Sequence, residues 1–248
     1  MIVKQQHDAI TVLRMEHGKA NAFDLDFLVA VHDALQSERD SASRAIVITG
    51  RNGIFSAGVD LFKILQNGSE YIHRFIPALD QMLEQLFLFP KPVVAAVNGH
   101  AIAGGCILAL ACDYRIMTDQ AGTIGIPELK VGVPFPPLPM EIVRFSLAPQ
   151  PMQELIFTGR NYDSQTALNK GVVDELSTAD QLLTRAVAMA EQMGRIPSES
   201  YRIVKQRLRS GVLEKAKQTS TEEIHRLWDS PEIHATIRAY LNRTIKKK

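Results

Sequence analysis

Two turns built from small residues hold the backbone best suited to chemistry: Ser56-Ala57-Gly58 and Ala103-Gly104-Gly105. Each follows a predicted buried strand. Each offers N–H groups beside residues with little or no side chain, so a ligand oxygen can approach closely. The second turn feeds a helix N-terminus, where free N–H groups carry partial positive charge. If the turns converge, they form a two-donor hole for an oxygen that gains negative charge during a reaction. On residue type alone, Gly104-Gly105 serves equally well as a tight contact of helix on strand. Other reactive arrangements are missing. The chain has no phosphate-loop motif, no dinucleotide glycine fingerprint, no Gly-x-Ser-x-Gly elbow and no His/Cys cluster with zinc spacing, so no metal is expected.

The elements that must position these turns can be read in order. Ile2 to Gln6 and Ala9 to Met15 predict a hairpin at His7-Asp8. Lys19 to Ala22 is a loop, and Asp24 caps a helix with Leu28, Val31 and Leu35 on one face. Ala45 to Thr49 is a buried strand, and the first turn ends at Val59-Asp60, where Asp60 is expected to cap rather than react. Ser69 to Phe89 is the clearest amphipathic helix, with Pro77 as a kink or a second start. Val93 to Val97 is a buried strand, broken by Asn98-Gly99. Cys106 to Ala111 reads as a buried helix and Tyr114 to Thr118 as the next strand. Gly122 to Ile126 is another short strand, left at Pro127-Glu128, and the four prolines in Val133 to Pro139 predict a rigid, irregular loop.

Helical spacing then dominates. Gln150 to Phe157 and Ser164 to Lys170 come first, the latter with a Gly171 cap, and Val172 to Glu175 is a short extended piece. Ala179 to Met193 is helical. Pro197 opens a helix carrying Ile203, Val204 and Leu208, and two more helices follow, the last capped by Ser230-Pro231. Strand–helix repeats followed by helices predict an α/β core with a C-terminal helical module.

Composition limits the function classes. The chain has 248 residues, 46% hydrophobic and 22% charged, and a net charge of +1. Binding to a nucleic-acid backbone needs an excess of cations, so no nucleic-acid partner is expected. Lys246-Lys247-Lys248 reads as a solvated tail. The two cysteines, Cys106 and Cys112, face different ways on one helix, which argues against a disulfide and for a reducing compartment. No apolar run is long enough to span a membrane and Met1-Ile2-Val3 starts strand-like, so a soluble, cytoplasmic protein is expected.

Taken together, the motifs resemble the crotonase superfamily, also called the enoyl-CoA hydratase/isomerase family. The resemblance runs through Ala20-Asn21-Ala22, Phe55 to Asp60, Asn98 to Gly105, Cys112 to Ile116, Ile126 to Gly132, Thr158-Gly159-Arg160 and Ala167 to Val173. It implies a crotonase-like spiral of stacked ββα units over residues 1–190. A C-terminal helical trimerisation module would follow over 191–248, giving a homotrimer or dimer of trimers. It implies an acyl-CoA thioester as substrate, with coenzyme A as part of that substrate and no separate cofactor. Carried over residue by residue, the oxyanion donors are Ala57 and Gly104. Ala20, Ala22, Ser56, Gly58, Val59, Asp60, Gly105 and Pro127 are the implied substrate-binding residues.

The carboxylates select the reaction within the family. A typical hydratase carries one Glu three residues after the oxyanion glycine and another in a later strand-to-loop turn; here these positions are Ile107 and Glu128. Hydration divides its work between two carboxylates, whereas one suffices to shuttle a proton. The Ala103–Leu108 segment resembles the mitochondrial-type Δ3,Δ2-enoyl-CoA isomerases, and Glu128 matches their single catalytic Glu. Its neighbours Ile126, Pro127 and Leu129 would raise its pKa towards neutrality. A hydratase, and an idle homologue with a binding role, stand as alternatives. Glu128 could also be a plain ion-pair residue. His100 and Asp113 are expected to be structural, while Met117, Phe135 and the Pro-rich loop either line an acyl pocket or belong to the core.

Overall fold

The N-terminal hairpin forms as expected in the computed structural model, which describes residues 1–245; the Lys246–Lys248 tail lies outside the described residues. Strand β1 (Ile2–His7) pairs antiparallel with β2 (Ile10–Met15), and Asp8 at the turn has φ 49°. Asp24 accepts a hydrogen bond from the Phe27 N–H and starts α1 (Leu25–Arg39), which buries Leu28, Val31 and Leu35.

Three successive segments then repeat one path. The first is β3 (Ala45–Thr49), β4 (Ile54–Ser56) and α2 (Leu61–Phe87). The second is β5 (Val93–Val97), β6 (His100–Ile102) and α3 (Gly104–Ala111). The third is β7 (Tyr114–Thr118), β8 (Ile124–Gly125) and α4 (Glu128–Val131). The first strand of each segment joins a six-stranded sheet, order β1-β2-β3-β5-β7-β10, where β10 is Glu175–Ser177. The second joins a four-stranded sheet, order β4-β6-β8-β9, where β9 is Asn161–Tyr162. Strands β2, β3, β5 and β7 run parallel, with Ile46 opposite Val93 and Ala96 opposite Ile116. This is the stacked ββα spiral of the crotonase fold.

Strands β3 and β5 are buried on both faces, which is why they read as unbroken apolar runs. Alternate residues Ile46 and Ile48 face the main core, while Ala45 and Val47 pack with Ala186 and Ala190 of α8 (Leu182–Gly194). The expected module boundary at residue 190 therefore falls inside α8.

Several local expectations need correction. Helix α2 begins at Leu61 with Asp60 as its cap, and the break lies at Gly68 (φ 64°, ψ −155°) rather than at Pro77. The Pro-rich stretch ends sooner than expected, because Pro137 occupies the first position of α5 (Pro137–Ser146), where its missing N–H costs nothing. The extended piece expected at Val172–Glu175 lies later, as β10.

The remaining helices are α6 (Pro149–Thr158), α7 (Ser164–Asn169), α9 (Ser198–Gln218), α10 (Glu222–Trp228) and α11 (Pro231–Ile245). Helix α9 turns the opposite face inward from the one its apolar residues suggest: Val204 and Leu208 are 64% and 65% exposed, while Lys205 and Arg209 are buried. The cause is Asp113, whose carboxylate takes Lys205 Nζ at 2.7 Å, Arg209 Nη2 at 2.8 Å and the Val93 N–H at 2.7 Å. Arg209 also donates to the carbonyls of Phe87 (2.6 Å) and Ala111 (3.1 Å), satisfying the last turns of α2 and α3. Among the described residues no helix is long and apolar enough to cross a membrane.

Candidate active site

The first turn leaves β4 under the control of the Lys19–Phe23 loop. Asn21, held at φ 47°, donates from Nδ2 to the Phe55 carbonyl at 3.0 Å and accepts the His17 N–H at 2.8 Å. Ser56 Oγ donates to the Asn21 carbonyl (2.7 Å) and accepts the Gly58 N–H (3.1 Å). The Phe23 N–H donates to the Gly58 carbonyl at 2.7 Å, and the Asp60 N–H to the Phe23 carbonyl at 2.9 Å. Asp60 caps α2, accepting from the N–H groups of Phe62 and Lys63, as its sequence position suggests.

The second turn leaves β6 through Ala103, which has φ 56° and ψ −127°. Such a conformation is strained for a residue with a side chain, and it sits at the head of α3. Its N–H is anchored to the Gly125 carbonyl at 2.8 Å.

The two turns meet. A Cβ on Gly58 (φ 74°) would lie 2.6 Å from the Gly104 nitrogen, one on Gly105 would lie 2.2 Å from the Ser56 carbonyl oxygen, and one on Gly104 would reach the Phe23 ring at 2.9 Å. The tight contact expected of Gly104-Gly105 is thus what the packing of the two turns shows.

The Ala57 N–H donates to the Ala20 carbonyl at 3.0 Å and is already committed to the loop. Among the described residues, the N–H groups of Val59 and Gly104 have no such partner. Val59 and Gly104 line one interior cavity together with Ala103, Ile107 and Glu128. Ala20, Ala22, Ala57 and Asp60 line an outer groove of about 330 Å³ that shares Val59 and Leu61 with the cavity. Ser56, Gly58, Gly105 and Pro127 line neither space. They form the framework behind it.

Glu128 is the first residue of α4, delivered by the short strand β8 and turned inward by Pro127, while Gly132 closes the helix at φ 88°. Its side chain is buried, and among the described residues Oε2 has no hydrogen-bond partner. Burial pushes its pKa up to about 8, and no charged group offsets that burial. This disfavours the ion-pair reading. Ile107, 3% exposed, faces the same cavity, and among the described residues no second carboxylate lines it.

The cavity is about 60 Å³. Phe75, Ile76 and Leu79 of α2 form one wall and Phe135 another. Trp228 of α10 also lines it, its Nε1–H donating to the Pro134 carbonyl at 3.2 Å. Met117 is core rather than cavity, and His100 is occupied by hydrogen bonds to Thr123. Trp228 is the contributor that residue pattern did not single out, because nothing in its local sequence marks it.

A family model described as enoyl-CoA hydratase/isomerase matches residues 5–245. Carnitinyl-CoA dehydratase of Salmonella arizonae is 36% identical over 188 residues, 74% of this chain and 70% of that protein. Mitochondrial enoyl-CoA delta isomerase 1 of Rattus norvegicus is 26% identical over 254 residues, covering 100% of this chain and 88% of that one. The crystal structure of human mitochondrial delta3-delta2-enoyl-CoA isomerase superimposes with a TM-score of 0.93 at 24% identity, over 100% of this chain and 99% of that one. At that identity the likeness is one of fold.

Proposed function

The chain belongs to the enoyl-CoA hydratase/isomerase family, and within it we propose a protein that shifts the double bond of a 3-enoyl-CoA thioester to the 2-position, with Glu128 as sole acid/base. The observation carrying this reading is that, among the described residues, Glu128 is the one carboxyl group in the cavity lined by Val59 and Gly104.

The thioester oxygen lies between those two amides, and its coenzyme A portion runs out along the Ala20–Asp60 groove. The free Oε2 of Glu128 takes a proton from C2. The electrons of that C–H bond delocalise into a dienolate whose charge rests on the thioester oxygen, where two fixed donors and the N-terminus of α3 stabilise it. Glu128 then returns the proton at C4, leaving the double bond between C2 and C3. No water takes part, which agrees with an aliphatic Ile107 where a second carboxylate would handle one.

Product analysis tests the reading. Incubation with a 3-enoyl-CoA builds up the conjugated 2-enoyl thioester, followed by its ultraviolet absorbance. Loss of that absorbance from crotonyl-CoA, with water added, would assign a hydratase instead. The reading includes assembly as a homotrimer or dimer of trimers, and light scattering on the purified protein measures it.

A further inference from the structure

Resting on the acyl-CoA reading above, we infer that Ser56 is a positioning residue, whose buried hydroxyl aims the Val59 and Gly104 amides at one oxygen. The residue is fully buried and lines neither the cavity nor the outer groove, so any effect it has on the reaction passes through its neighbours.

Towards Val59 the link is a hydrogen-bond bridge. Ser56 Oγ donates to the Asn21 carbonyl at 2.7 Å and accepts the Gly58 N–H at 3.1 Å. Among the described residues it is the one hydrogen-bond partner of either group. Gly58 immediately precedes Val59, and a glycine at φ 74° leaves the direction of the next amide to whatever holds the turn. The far end of the bridge is itself fixed, because Asn21 Nδ2 donates to the Phe55 carbonyl at 3.0 Å and Oδ1 accepts the His17 N–H at 2.8 Å. Towards Gly104 the link is packing. A Cβ on Gly105 would lie 2.9 Å from the Ser56 Cβ, so the serine sits directly against the first turn of α3.

One side chain thus holds both amides to a single loop. Removing its hydroxyl leaves a buried N–H and a buried carbonyl unpaired, which the turn can repair only by shifting. A misaimed amide costs little while the thioester oxygen is neutral and much once it carries the enolate charge. The loss therefore falls on kcat rather than KM.

The first test is turnover of a 3-enoyl-CoA by the wild type, Ser56→Ala and Ser56→Cys. In Ser56→Ala, kcat falls at least tenfold while KM changes less than threefold. Ser56→Cys, whose thiol keeps a weak donor and acceptor in place, recovers at least a third of the wild-type kcat. An unchanged kcat in Ser56→Ala, or a cysteine variant no better than alanine, overturns the inference. If Ser56→Ala does not fold, Asn21→Gly decides, since glycine accepts the φ of 47° but frees the loop that carries the bridge. There kcat again falls at least tenfold, and an undiminished value overturns the inference.

A binding arm needs no double-bond shift. The enolate of 3-oxobutanoyl-CoA places charge on the thioester oxygen and is followed by its near-ultraviolet absorbance. In Ser56→Ala, affinity for this enolate falls at least tenfold, while calorimetry shows affinity for saturated butanoyl-CoA falling less than threefold. Equal losses for the two ligands indicate a loosened site and overturn the inference even where isomerisation is fast. The selective loss upholds it even where the wild type moves no double bond, and then the assigned reaction alone is wrong.

Discussion

Ile107 and Glu128 line one cavity from different units of the spiral, and of the two only Glu128 can carry a proton. Replacing Glu128 by Gln keeps the shape and removes the carrier. Turnover of a 3-enoyl-CoA falls by about 10²–10⁴, the usual scale for a positioned acid/base, with little change in KM. Steady-state kinetics measure this, and undiminished kcat would take Glu128 out of the mechanism.

The raised pKa gives activity a predictable pH dependence. Glu128 must be ionised to accept the first proton, so kcat/KM rises with pH and levels off above about 8. Asp80 is also pushed up to about 7, by burial and by Glu84, but it faces a different groove between α2 and α9. The profile therefore persists in Asp80→Asn, and its disappearance there would assign the ionisation to Asp80.

Stability carries the opposite sign. Between about pH 4.5, where the unfolded carboxyl titrates, and about 8, the folded state keeps a proton on Glu128 that the unfolded state has lost. Folding thus becomes less favourable as pH rises through that window. Glu128→Gln lacks this loss. Its melting temperature exceeds the wild type's by ~5 °C at pH 8.5, and the gap closes by pH 5. Paired melting curves at the two pH values check the difference.

Gly58→Ala places a methyl group 2.6 Å from the Gly104 nitrogen, at a φ of 74° that alanine disfavours. The turn can only respond by moving apart from α3. Activity drops on the order of a hundredfold, as for loss of one oxyanion donor. Circular dichroism monitors the fold, and a fully active Gly58→Ala protein would show that the two turns need not touch.

Arg209→Met leaves Asp113 paired with Lys205 alone and strips the donor from the Phe87 and Ala111 carbonyls. Breaking a buried pair from one side costs about 3–5 kcal/mol. Urea denaturation of wild type and variant measures the loss, and a change under about 1 kcal/mol would show that water satisfies these groups.

Much of this arrangement was legible because the relevant signals are local. Strands β3 and β5 are uniformly apolar since both their faces are covered, and Asp24 and Asp60 sit where a helix cap must be. Strands β4, β6 and β8, of two or three residues, are too short to show a period and exist only as pairs across the smaller sheet. Neither the commitment of the Ala57 N–H to the loop nor the inward face of α9 is written locally. The first depends on which N–H the Ala20 carbonyl takes. The second depends on Asp113, whose two cations outweigh the burial of Val204 and Leu208. Trp228 belongs to the cavity only because α10 returns to α2.

The reach of Arg209 has a consequence for biosynthesis. Until that residue emerges from the ribosome, Asp113 is a lone charge in a forming interior, and the ends of α2 and α3 lack their donor. Every strand of both sheets is therefore translated before the helix whose two cations complete this buried contact.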